Sequence, residues 1–168
     1  MSGLFAIGSY IGIETPASSV MTFYPTTQTN DPTYAWATPA NFAAPNGNVA
    51  QRTLTNVQIY SVLKGNFDCS ALPSGAVIES VFFGFDGYYS LGVGGDGTMA
   101  TSIYNSSNVY VDSITAWEDT VIHSDEVAVT MTRTELLTAK AWVEVDNSGL
   151  TGSITGRADG AYLRVTYH

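Results

Sequence analysis

Cysteine is nearly absent from this 168-residue chain. A single Cys69 excludes an intrachain disulfide and a metal site built from several thiolates, which leaves it the role of a small, partly buried apolar residue. Charge is scarce as well, at 12% of residues against about 25% in an ordinary soluble domain. Six Lys and Arg stand against fifteen Asp and Glu, for a net charge of −9. The six basic residues are scattered from Arg52 to Arg164, so no basic patch forms from sequence neighbours, and the composition argues against a nucleic-acid partner. The first thirteen residues are apolar but lack a basic n-region, are broken by Gly3, Gly8 and Gly12, and are too short and too polar to span a bilayer. No export signal or membrane partner is therefore expected, and the reading places assembly in the cytoplasm of the cell that makes the chain. Long helical periodicity is missing too.

What the chain does have is alternation. Leu72-Pro-Ser-Gly-Ala-Val-Ile-Glu-Ser-Val81 is a turn feeding a strand, and Ala161-Tyr-Leu-Arg-Val-Thr-Tyr-His168 is a strand that ends the sequence. Between them residues 98–104 and 108–112 read as a hairpin around Asn105-Ser-Ser107, and residues 126–133, 141–146 and 162–167 alternate through their valines. Residues 53–63 read as one strand, with Val57, Ile59 and Leu63 on one face and Asn56, Gln58 and Tyr60 on the other, closed by a turn at Lys64-Gly-Asn66. Residues 76–85 read as a core strand, apolar on both faces at its far end. Thr134 is the expected N-cap of one or two helical turns. Seven or eight such strands predict an all-β, antiparallel β-sandwich of jelly-roll type over residues 36–168.

Residues 1–35 differ, combining Pro16, Pro25 and Pro32 with the run Thr26-Thr-Gln-Thr29, and they predict an extended N-terminal arm. Leu4, Phe5, Ile7, Tyr10, Ile11 and Ile13 are too many apolar side chains for a solvated tail. Either the arm lies on a neighbouring subunit, the favoured reading, or it supplies the first strand of its own domain. Low surface charge points the same way, toward surface hidden between copies; a Thr/Ser-coated secreted sandwich has the same composition.

Candidate chemistry is thin. The run Gly92-Val-Gly-Gly-Asp-Gly97 lacks the Lys-Ser/Thr pair of a phosphate loop and precedes a strand, so it reads as a hairpin tip. His123 stands near Asp119, Ser124 and Asp125 without a nucleophile-elbow pattern, and reads as part of a surface turn. The acidic pairs Glu118-Asp119, Asp125-Glu126 and Glu144/Asp146 lack the spacing of a calcium loop and nominate no particular pair of glycosidase carboxylates. No catalytic, cofactor-binding or metal residue is expected. Tyr88, Tyr89, Tyr104, Tyr110 and Trp117 could stack on sugar rings, as binding-module platforms do, or could serve the core and a subunit contact.

The order Trp36-Ala-Thr-Pro-Ala-Asn-Phe-Ala-Ala-Pro-Asn-Gly-Asn48, a strand ending near Phe67, the turn and strand of residues 72–81, Thr134-Glu-Leu-Leu137, Val143-Glu-Val145 and the closing strand from Ala161 resembles a β-sandwich domain of structural proteins in tailed bacteriophages. The resemblance implies a non-enzymatic virion protein. The compact size favours a capsid decoration or cement protein on the outer surface of the head. Its implied partners are the major capsid protein and sister subunits, commonly as a homotrimer. The alternative is a tail, baseplate or head-fibre component with a carbohydrate-binding role in host attachment.

Overall fold

The computed structural model describes residues 16–149 and 151–168. The chain runs β1 (Ser19–Phe23), β2 (Pro25–Asn30), a 3-10 turn (Pro39–Ala43), β3 (Ala50–Thr55), β4 (Tyr60–Phe67), β5 (Ile78–Leu91), β6 (Thr98–Tyr104), β7 (Tyr110–Thr115), β8 (Trp117–Glu118), β9 (His123–Val129), α1 (Arg133–Leu136), β10 (Lys140–Asp146) and β11 (Ser153–Tyr167). Two sheets result. The five-stranded sheet has the order β2-β4-β10-β6-β7 and is antiparallel throughout. The six-stranded sheet is built on the long pair β5 and β11, with β1 and β3 along one side of β11 and β8 and β9 along the far side of β5. The expected jelly-roll-type β-sandwich is the fold.

Alternation builds the core between the sheets. Val81, Phe83 and Phe85 of β5 and Ala161, Leu163 and Val165 of β11 face inward, and Leu63, Phe67, Met99, Ile103, Ala141, Val143 and Val145 meet them from the other sheet. Phe82 departs from the core assignment of its neighbours: its ring faces outward, with the Arg164 guanidinium 4.6 Å from its centroid. Cys69 is fully buried, and burial, with nearby Asp68, pushes its thiol up to about 12.

Several expectations change. The first concerns the arm: β1 pairs with β11 and β2 with β4, so Ser19–Phe23 and Pro25–Asn30 are edge strands of the sandwich, one in each sheet. The six apolar residues from Leu4 to Ile13 lie outside the described residues. The second concerns residues 53–63, where one alternating pattern covers two strands in different sheets. Asn56 takes a left-handed φ of 50°, which an Asn tolerates, and its backbone bonds to the loop before β11. Val57 and Ile59 are exposed there. The expected turn at residues 64–66 is instead mid-strand: a Cβ on Gly65 would stand 2.8 Å from the Pro25 side chain and 2.9 Å from Phe42, so this glycine lets β2 and the 3-10 turn close on the sheet. The third is the N-cap of α1, which is Thr132: its hydroxyl accepts from the Glu135 N–H while the Glu135 carboxylate accepts from the Thr132 N–H at 2.8 Å.

The segment before β3 is tied down by a buried carboxylate. At the bulge between Ala158 and Gly160 in β11, Asp159 accepts N–H groups of Asn46 and Gly47 at 3.0 Å. Gly160 completes the approach, since a Cβ there would lie 2.7 Å from Pro45. Residues 92–97 cross between sheets, from β5 to β6, rather than forming the tip of a hairpin. Among the described residues no helix is long and apolar enough to cross a membrane.

Candidate functional site

Register decides which side chains share the outer face of the five-stranded sheet. Because inward residues of β4, β10 and β6 are the odd-numbered ones, the even-numbered ones project outward, and pairing aligns them into rows. One row runs Lys64, Trp142, Ser102 and Ser113; the next runs Asn66, Lys140, Tyr104 and Tyr110. The rings meet across the rows. Tyr104 and Trp142 lie 4.4 Å apart at 35°, Tyr104 and Tyr110 lie 6.0 Å apart edge to face, and the Lys64 ammonium sits 3.9 Å from the Trp142 centroid. The indole N–H of Trp142 is enclosed and has no acceptor among the described residues. Tyr104 and the Lys64 ammonium are thus the ring's close neighbours on the strip.

Beside this strip lies a groove of about 330 Å³ between Trp142, Lys64, Val62 and Tyr60 on one side and Thr29, Asn30, Asp31 and Pro32 on the other. Its polar groups are oriented. The Tyr60 hydroxyl donates to Glu144 at 2.8 Å, and burial together with that carboxylate raises the phenol far above its ordinary range. Burial alone would raise the Asp31 carboxyl, but N–H groups of Tyr34 and Thr33, each 2.7 Å away, and the charge of Arg52 outweigh it and hold the group below the usual carboxylate range. Asn30 closes the loop by bonding both the N–H and the carbonyl of Trp36. The site is thus a strip of mutually inclined aromatic rings, edged by an ordered groove and by lysine, asparagine and carboxylate side chains.

The aromatic residues nominated from sequence divide three ways. Tyr104 and Tyr110 belong to this strip. Tyr89 is buried, 8% exposed, and belongs to the core. Tyr88 and Trp117 are register partners on the six-stranded sheet. There Arg157 lies 5.2 Å from the Tyr88 centroid while bonding Gln51 and Ser90, and Trp117 donates to Asp125 at 2.6 Å and packs on His123 at 5.3 Å. Trp142, Tyr60 and Lys64 are absent from the sequence-based candidates and Glu144 appears there only in an acidic pair; the outward parity of residues 141–146 carried the signal for Trp142 and Glu144.

His123 begins β9 rather than sitting in a turn, and its Nε2 meets the Asp119 carboxylate at 2.6 Å. The Thr120 N–H and then His123 hold that carboxylate below its ordinary value. Ser124 follows His123 directly in the strand and so projects to the opposite face. The three groups do not converge. Among the described residues no set of three His, Cys, Asp or Glu is placed to hold a metal.

No family model matches the chain, and no curated protein matches it. Among solved structures it is similar to a carbohydrate-binding module in complex with β-1,4-galactotriose, at 15% identity over 82% of this chain and 86% of that one, TM-score 0.47. It is similar to a carbohydrate-binding module described for specific mannan recognition, at 13% identity over 91% and 99%, TM-score 0.46. A third likeness is to the enzymatically active domain of tailspike protein 4 of bacteriophage CBA120, at 15% identity, covering 89% of this chain but 19% of that one, TM-score 0.44. No residue of this chain takes a role from these likenesses.

Proposed function

We propose that this chain is a carbohydrate-binding β-sandwich that holds a saccharide along the outer face of its five-stranded sheet. The observation that carries the reading is the cross-strand strip of Trp142, Tyr104 and Tyr110 beside the groove at Tyr60. A sugar ring has an apolar C–H face and a polar rim. The aromatic faces of the strip match the first, and Glu144, Lys64, Asn66 and the groove's ordered polar groups match the second. The role is binding, without catalysis. The resemblance to tailed-phage structural proteins supplies a setting, a virion component that engages surface glycans of a host.

The test is affinity electrophoresis of the intact chain through a panel of polysaccharides, repeated with Trp142→Ala and Tyr110→Ala. Retardation by at least one polymer that both variants weaken supports the reading. Retardation that neither variant changes rejects it.

A second reading, the capsid decoration protein, is favoured by the exposed Val57, Ile59 and Val93 in loops at one end of the sandwich, where a sister subunit would cover them. Copy number in purified particles separates the two. Hundreds of copies match a repeating shell, whereas a few to a few dozen match a tail or vertex position.

A further inference from the structure

Resting on the carbohydrate reading, we infer that the saccharide is acidic, with its carboxylate or sulfate group meeting Lys64 and Lys140. The chain has two lysines and four arginines, and they behave differently. Every arginine is engaged. Arg52 bonds the Ala35 carbonyl, Arg133 the Leu72 and Pro73 carbonyls, Arg157 the Gln51 and Ser90 side chains, and Arg164 pairs with Glu126. Among the described residues neither lysine has a carboxylate partner. Lys64 makes only its contact with the Trp142 ring, and Lys140 donates to the neutral side-chain oxygen of Asn108.

Both lysines stand on the same outer face, in the two rows that carry the aromatic strip. In a chain of net charge −9, two cations left without counter-charges at the candidate site mark the sign of what binds there. Asp31 and Glu144 keep their charge while they accept backbone N–H groups and the Tyr60 hydroxyl, and the register places Glu144 on the side of Trp142 away from Lys140. Repulsion from more distant carboxylates is screened over about 8 Å at physiological ionic strength, so contact with the lysine ammonium governs. A lysine also suits this task better than a pinned arginine. Its flexible stem lets the ammonium leave the indole face when a sugar ring takes that place, and the charge stays within reach of the sugar's acidic group.

The experiment pairs each acidic polymer with a neutral counterpart: dextran sulfate with dextran, and polygalacturonate and hyaluronan each with its carboxyl-reduced form. The intact protein, Lys64→Gln, Lys64→Arg, Lys140→Gln and Trp142→Ala are compared, with thermal unfolding to confirm that each is folded. An acidic member is expected to bind at least tenfold tighter than its neutral counterpart, Lys64→Gln to lose about tenfold, and Lys64→Arg to retain most of the affinity. The dextran pair reads sulfate and the reduced pairs read carboxylate. Equal binding of the neutral counterparts through Trp142 overturns this inference and leaves the carbohydrate reading standing. Acidic binding unchanged in both glutamine variants also overturns it. Binding of no polymer, or binding that survives Trp142→Ala, overturns both.

Discussion

The two outer faces of the sandwich carry the same kinds of residue and use them in opposite ways. On the six-stranded sheet, Phe82 is covered by Arg164, which also pairs with Glu126; Tyr88 is covered by Arg157, which also bonds Gln51 and Ser90; and Tyr162 packs against Tyr24 at 6.4 Å. On the five-stranded sheet, Trp142 is met by a lysine that makes no other bond among the described residues. An arginine fork that holds two acceptors and a ring is a structural clasp, whereas a single ammonium over a ring is a removable one. The difference separates a face whose arginines are held by further acceptors from a face whose lysine is not, even though the six-stranded sheet also leaves Trp117 55% exposed.

Breaking the open face should give the largest effect on binding. Trp142→Ala is expected to weaken glycan affinity by about 2 kcal/mol, roughly thirtyfold, as the loss of a large aromatic anchor does, read by calorimetry on the preferred oligosaccharide. Tyr110→Ala, at the exposed end of the strip, is expected to cost about 1 kcal/mol. Equal losses for the two would mean that the groove end of the strip carries no more of the binding than its exposed end.

Altering the closed face should leave binding alone and lower stability. Arg157→Ala removes a ring contact and two side-chain hydrogen bonds, and an expected loss of about 1 kcal/mol in denaturant unfolding, with unchanged glycan affinity, would sharpen the contrast. If Arg157→Ala weakens binding as much as Trp142→Ala does, the two faces are not different in kind.

The smallest expected effect depends on pH. Burial, reinforced by Asp159, Glu126 and Asp125, raises the Asp86 carboxyl above its ordinary 3.8, and its Oδ1 has no partner among the described residues. The folded state therefore holds this proton more tightly than the unfolded state, and ionisation costs stability. That cost is absent below the unfolded value of 3.8 and is complete once pH has risen past the higher folded value. Asp86→Asn should accordingly raise the melting temperature slightly at pH 7. The gain should shrink toward zero as pH falls below 4, in melts recorded across that range.

Much of the scaffold was legible because alternation and turn chemistry are local. The hairpin around residues 105–107 and the strand expected over residues 141–146 stand where their patterns put them, while the closing strand holds residues 162–167 but begins earlier, at Ser153. Residues 53–63 misled for the same reason: alternation continues numerically through Asn56, where the backbone turns the corner into the other sheet. Thr132 and Thr134 are equally good caps by residue type, and only the reciprocal bond with Glu135 distinguishes them.

The candidate site was half legible. Tyr104 and Tyr110 stood out as neighbours of one turn. Trp142 lies between Ala141 and Val143, inward residues whose alternation defines the strand, so the pattern that marks the strand has the opposite parity to the site. That Lys64, Trp142 and Tyr104 converge depends on a register between β4, β10 and β6, strands separated by dozens of residues. Parity within a single strand cannot supply that. Within one strand it does suffice to place Tyr88 and Tyr89 on opposite faces, which the sequence reading had grouped together.

The most direct test uses the three tryptophans as reporters: Trp36 is buried in the core, Trp117 stands at the six-stranded sheet and Trp142 lies on the strip. Each has one indole N–H, so a nitrogen-15 correlation spectrum gives three assignable signals during titration with the preferred oligosaccharide. Movement of the Trp142 signal, with Trp36 and Trp117 unmoved, is the predicted result. Saturable binding that moves Trp117 and leaves Trp142 in place would contradict the account.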